Sequence, residues 1–385
     1  MGTPPLKRRQ NLFRKISGLP ATLLVMELWR ELFLPGNAAI GSLLLFGYGL
    51  FALFLLRDIF FIASPPTAFA PEAIPAAQQN IARMPRPKLA SYLSNLFTFT
   101  NWMILLAFTA ISCWLGHLTL HPARVPVQAD RNPGKYGIPY QDIALTTSDG
   151  IVLQAWYTPP ENGAVILVAH GFHNTRPAEI YALFARHGYG VLAWDFRGQG
   201  ESGGDTVTLG YLEWQDVIAA LDFARSQPKA ERIGAWGNSM GGAAVLRAAA
   251  HRPDIRAVAI DSTYATMSEL LNTNVSIPLM RWPMRWYVEW QTGLELDQAR
   301  PVDWVGQISP RPVFLIGDPQ DNMVGPGAIH SLYTAAGEPR QVWYTPGAGH
   351  NGMFQADPQA YEKRLIEFFA AAFPAGKVSQ NDGEE

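Results

Sequence analysis

Two apolar patterns divide the chain. Up to about residue 135 the apolar residues come in long runs; beyond it they come in short runs broken by helical periodicity and turn residues. No charged residue occurs from Asn37 to Leu56, and Ile59-Phe60-Phe61-Ile62 carries the apolar character past Arg57-Asp58. From Leu89 to Pro122 there is again no Lys, Arg, Asp or Glu. A bilayer crossing needs about 20 apolar residues, so these stretches predict two transmembrane helices, over residues 38–62 and 96–120. A soluble helix of such length carries a charged face, which neither stretch has. Upstream, Leu24, Leu28 and Leu32 fall on one helical face and Glu27, Arg30 and Glu31 on another, which predicts an interfacial helix over Leu19–Leu34. Residues 64–88 are rich in Pro and Ala and read as an irregular connection. Ala68-Phe69-Ala70 mimics a signal-peptidase site, but the basic cluster Lys7-Arg8-Arg9 lies too far upstream for a cleaved signal.

From Tyr136 onward, strands and helices alternate. Asp142–Thr147 and Val152–Tyr157 flank the turn Ser148-Asp149-Gly150 and read as a hairpin. Short apolar runs at Ala164–Ala169, Gly190–Trp194, Arg232–Trp236, Ala257–Ile260, Val313–Ile316 and Gln341–Tyr344 read as strands buried on both faces. Helical stretches separate them at Ala178–His187, Leu209–Ser226 and Ser239–His251, and a closing helix runs from Tyr361 to Phe373. This alternation predicts a mostly parallel sheet with helices on both faces, whose chemistry lies beyond the carboxyl ends of the strands. Residues 136–374 form that domain, and 375–385 a polar tail expected to be disordered.

Composition narrows the classes. The chain has 385 residues, 48% hydrophobic and 16% charged, with a net charge of -2, so no basic field marks a nucleic-acid binder. Cys113 is the only cysteine, which excludes an internal disulfide, a cysteine-based zinc site and an iron–sulfur cluster.

The strongest chemical signal is Gly237-Asn238-Ser239-Met240-Gly241-Gly242, a G-x-S-x-G pattern between a strand and a helix. Such a turn crowds its flanks, so glycines leave room, and it lifts Ser239 Oγ to a helix N-terminus where free N–H groups meet developing negative charge. Serine needs a base, and His350 follows the last strand in Pro346-Gly347-Ala348-Gly349-His350. His170, His173, His187, His251 and His330 sit in helix or loop contexts that suit the role less, and His117 and His121 lie in or beside the second apolar run. The base needs an acid, and Asp318 and Asp321 both follow a strand. Asp321 is preferred, because Asp318 sits where a turn residue is expected. The order Ser, Asp, His, with gaps of roughly 80 and roughly 30 residues, differs from chymotrypsin and subtilisin. Two backbone donors would hold the oxyanion: Met240 N–H, next to the nucleophile, and Phe172 N–H, in His170-Gly171-Phe172. His170 reads as a brace for that loop.

These residues, with Thr147-Ser148-Asp149-Gly150, Asp195-Phe196-Arg197-Gly198-Gln199-Gly200-Glu201-Ser202 and Gly347-Ala348-Gly349-His350, resemble the α/β-hydrolase superfamily. The nearest likeness is to the serine aminopeptidase-like branch, with its membrane-anchored and depalmitoylating relatives. Gly317-Asp318 departs from the His-Gly usual in that family before the acid's loop. The resemblance implies a cap in the roughly 50 residues between the strands at Ala257–Ile260 and Val313–Ile316, at about 262–310. Trp282, Trp286 and Trp290 there recur every four residues and share a helix face, which either packs on the sheet or forms an apolar lid or membrane-dipping surface. Asp195 and Arg197 are implied to be structural.

The sequence thus predicts an α/β-hydrolase fold behind two N-terminal spans. The expected activity is hydrolysis of an ester or thioester of a lipid-like acyl group through Ser239, His350 and Asp321, with no metal or organic cofactor. A serine peptidase, and a catalytically silent scaffold that binds a partner, are the rivals. Lys and Arg at positions 7, 8, 9, 14, 15 and 30 favour a cytoplasmic N-terminus, and two spans then return the hydrolase domain to the same side.

Overall fold

The computed structural model describes residues 86–373, apart from Ala129. The expected span over 38–62, the amphipathic stretch Leu19–Leu34 and the tail 375–385 lie outside the described residues. The first described helix is α1, Arg86–Leu120. Its stretch Ser94–Leu120 is long and apolar enough to cross a bilayer.

Eight strands follow: β1 Gln141–Thr146, β2 Val152–Thr158, β3 Ala164–Ala169, β4 Gly190–Trp194, β5 Arg232–Asn238, β6 Ile255–Asp261, β7 Val313–Gly317 and β8 Arg340–Tyr344. They form one sheet in the order β1-β2-β4-β3-β5-β6-β7-β8. The β1–β2 and β2–β4 pairs are antiparallel and the remaining pairs are parallel. The continuous apolar runs have a direct cause here. In β3, Val165, Leu167 and Ala169 enter one core while Ala164, Ile166 and Val168 enter the other. Helices α3 (Trp214–Ser226) and α4 (Met240–His251) cover the first face; α2 (Ala178–Arg186) and α10 (Pro358–Ala372) cover the second. Polar residues on either side of such a strand would lose water with no compensating hydrogen bond.

β3 has β4 on one side and β5 on the other, so the chain reverses its direction of winding there. The loops leaving β3 and β5 part at that point and open a crevice.

One helix begins later than expected. The stretch Leu209–Ser226 is helical only from Trp214. Leu209 and Gly210 take positive φ values of 56° and 105°, and the Glu213 carboxylate folds back to accept hydrogen bonds from Thr208 N–H and Oγ1–H and from Gly210 N–H. Between β6 and β7 lie α5 (Met267–Asn274), α6 (Pro278–Thr292) and α7 (Pro301–Val305). Only α5 and α6 stand over the crevice. α7 packs into the body, where Trp304 and Val305 are buried and Arg247 lies over the Trp304 ring. α8 (Ala328–Ala335) and the short α9 (Met353–Ala356) complete the chain.

Candidate active site

The Ser239 backbone takes φ 51° and ψ -120°, a strained conformation for a residue with a side chain. The flanking glycines make it possible. A Cβ at Gly237 would lie 2.7 Å from Gly241 O, and one at Gly241 would lie 2.4 Å from Ala169 O and His170 O. Ser239 N–H donates to Asp261 O at 2.8 Å, which ties the turn to β6. Ser239 Oγ then stands at the start of α4.

His350 comes from the loop after β8. Its Nε2 lies 3.1 Å from Ser239 Oγ and its Nδ1 lies 2.7 Å from Asp321 Oδ2. Asp321 is buried, and its other oxygen accepts Met323 N–H at 2.8 Å. The three residues therefore meet beyond the ends of β5, β7 and β8.

Asp318 stands on the same loop but has other partners. Its Oδ2 accepts the N–H groups of Gly347 and Gly349, each at 2.9 Å, and its Oδ1 accepts Gln320 N–H. Burial alone would raise its carboxyl, but these donors outweigh burial and hold it below its usual value. Asp318 thus clamps the loop that carries His350. Its distance from the strand end suggested a turn residue; the long reach to the His350 loop left no mark in the local sequence.

The loop after β3 lies against Ser239: a Cβ at Gly171 would sit 3.3 Å from Ser239 Cβ. His170 is fully buried and stays neutral, because burial disfavours its charged form. Its Nε2 accepts Phe196 N–H at 3.0 Å, so its proton is on Nδ1, 2.7 Å from Gly171 O. Gln199 Oε1 accepts His173 N–H, while Asp195 accepts Arg176 N–H and Glu201 N–H. Arg197 bridges Asp216 and Asp149. The Asp195–Ser202 stretch therefore braces this loop. Phe172 and Met240 line the cleft together with Ser239. Among the described residues no cluster of His, Cys, Asp and Glu could hold a metal.

The cleft in front of Ser239 is a cavity of about 350 Å³, within the range of small-molecule sites. Its far walls are helical: Leu270 and Leu271 from α5, and Met284 and Val288 from α6. The tryptophans of α6 face elsewhere. Trp282 and Trp290 are 45% and 41% exposed, and Trp286 stacks on Trp290 with ring centroids 5.9 Å apart. The four-residue spacing does mark one face, but Met280, Met284 and Val288, offset by two residues and so about 200° round the helix, occupy the opposite, inward face. Thr119 and Leu120, at the end of α1, also line the cavity. A charge-free run carries no local mark that its end also builds a cleft.

Residues 160–305 match the family model for serine aminopeptidase, S33. The chain is 26% identical over 246 residues to the uncharacterised protein YfhR of Escherichia coli K12, covering 60% of this chain and 81% of that one. It is 25% identical over 265 residues to the alpha/beta hydrolase domain-containing protein WAV2 of Arabidopsis thaliana, covering 63% and 82%. Among solved structures, the Pyrococcus furiosus esterase Pf2001 superposes with a TM-score of 0.56 at 23% identity, over 66% of this chain and 99% of that one. That last likeness is one of fold.

Proposed function

This chain belongs to the α/β-hydrolase superfamily, and on that premise we propose that it is a membrane-anchored serine hydrolase of carboxylic esters or thioesters. The observation that carries the reading is the unbroken relay Ser239 Oγ, His350 Nε2, His350 Nδ1, Asp321 Oδ2, at 3.1 Å and 2.7 Å. His350 takes the proton of Ser239 as Oγ attacks the carbonyl carbon, and Asp321 fixes the tautomer and stabilises the imidazolium. The N–H groups of Met240 and Phe172 face the developing oxyanion. His350 returns the proton to the leaving group, and water activated by the same His350 releases the acyl-enzyme.

An apolar acyl group suits the cavity, whose lining is mostly Leu, Met, Val and aromatic side chains, with no Asp or Glu among the described residues. Each buried methylene contributes about 0.8 kcal/mol. An aminopeptidase would need an acidic group there to hold a free α-amine, which favours the ester. The apolar stretch Ser94–Leu120 supports anchoring in a membrane, and the N-terminal Lys/Arg excess supports a cytoplasmic hydrolase domain.

A fluorophosphonate probe tests the assignment. The full-length protein should be labelled on Ser239 and should hydrolyse acyl esters in preference to aminoacyl amides. A wild-type protein that takes no label would return the chain to the silent scaffolds.

A further inference from the structure

We propose that the cleft is filled from within the bilayer: a long fatty acyl chain enters through a lateral portal between the end of α1 and the α5–α6 connection. This rests on the hydrolase reading and adds where the substrate comes from and which residues admit it.

A second cavity, of about 430 Å³, adjoins the one holding Ser239. The two share Thr119, Phe172, Asn274, Val275 and Met284 as lining residues, so they are adjacent. The inner one reaches Ser239 and His350. The outer one reaches Leu115 and Leu118, which are 38% and 45% exposed. Both leucines belong to the stretch that is apolar and long enough to cross a bilayer. In a membrane, its exposed flank meets lipid tails. The last turns of a span lie at the interface, the depth at which an ester carbonyl of a lipid or lipidated substrate resides.

The helices at this mouth are fixed to each other. A Cβ at Gly116 would lie 3.1 Å from Tyr287 Cδ1 and 3.3 Å from Met284 O, so a larger residue there would require α1 and α6 to give by a few tenths of an ångström. His117 Nδ1 lies 3.0 Å from the Tyr287 hydroxyl. On the α6 side, Ile277, Leu279 and Trp282 are exposed and extend the apolar surface beside the mouth. An acyl chain following this surface never crosses water. In the reaction, the Ser239 Oγ–carbonyl carbon bond forms, the carbonyl carbon–heteroatom bond of the substrate breaks, and the leaving alcohol or thiol takes the proton from His350.

The test compares p-nitrophenyl palmitate in phosphatidylcholine vesicles with p-nitrophenyl acetate in water, using full-length protein in the same vesicles. Rates are normalised to sites titrated by a fluorophosphonate. Leu118→Trp should lower the palmitate-to-acetate rate ratio at least tenfold. Leu115→Trp, on the same rim, should do likewise and serves if the first variant does not fold. Ile104→Trp, as exposed but further up the same helix, should leave the ratio within twofold. A ratio untouched by both rim variants, or lowered equally by Ile104→Trp, overturns the portal. Because the wild-type acetate rate and labelling are read alongside, failure of the portal is distinct from failure of the hydrolase reading.

Discussion

The cleft has two walls built on different principles. On one side, Ser239, Asp321 and His350 hang from the ends of β5, β7 and β8, and the loops that carry them are tied by backbone hydrogen bonds to buried carboxylates and strand ends. On the other, α1, α5 and α6 present Leu, Met and Val to the cavity while Trp282, Trp290 and Leu118 remain exposed. The strand wall holds its groups at hydrogen-bond distances, as the proposed proton transfer demands. The helical wall fixes only shape and polarity, which suffices for an alkyl chain. Substitutions on the strand wall should therefore change the rate for every substrate, and those on the helical wall should change which substrate is taken.

The largest expected effect is that of Ser239→Ala. It should cut ester turnover by several orders of magnitude with little change in thermal stability, since no buried contact is lost. Retention of more than about a tenth of the activity, less than ~1.4 kcal/mol of barrier, would dissolve the contrast between the walls.

Next come the two neighbouring aspartates. Asp321→Asn should lower kcat by about 10²–10⁴-fold, because Nδ1 of His350 loses its charged partner. Asp318→Asn should cost about tenfold or less, since an amide oxygen can still accept from Gly347 or Gly349. Equal losses in the two variants would show that holding the loop matters as much as charging the imidazole.

The smallest effect concerns Asp261, which anchors the turn at Ser239 through its carbonyl oxygen. Burial, opposed by the Tyr361 hydroxyl at 2.7 Å, pushes its carboxyl up to about 6 from 3.8. A raised folded pKa means the folded protein holds this proton more tightly than the unfolded chain. Its contribution is therefore present below about pH 4 and is lost as pH rises to about 6. Asp261→Asn has no such loss. In thermal unfolding in detergent, the Tm of the variant should gain on that of the parent by several degrees between pH 4.5 and 7.5. A constant gap across that range would mean that Asp261 is ionised in the fold.

The sequence was most informative where one local rule governs the outcome. The strand β3 is delimited by its continuous apolar run, and the turn at Ser239 by its two glycines, because each feature is set within a few residues. Asp321 was distinguishable from Asp318 only by distance from the strand; the contacts that separate them span some thirty residues of chain. The late start of α3 depends on one carboxylate, that of Glu213, turning back on its own loop, which no periodicity reveals. The cap tryptophans were correctly grouped on one face, but which face meets the cleft is decided by neighbours distant in sequence. The same holds for the end of α1, whose apolar residues look alike whether they touch lipid, protein or substrate.

The junction after α1 is tied down more firmly than a tether needs to be. Leu120 O accepts Val207 N–H at 2.7 Å, His121 Nδ1 bonds Asp205 O, and Arg124 donates to the carbonyls of Gly200 and Ser202. The segment 200–207 so held is the continuation of the stretch that braces the loop beside Ser239. A truncated protein beginning beyond Leu120, prepared for convenience in water, would lack Thr119 and Leu120 from its cleft and would lose the Val207 hydrogen bond. Its chain-length preference would then describe an opened vessel, and would say little about how the intact protein chooses among its substrates.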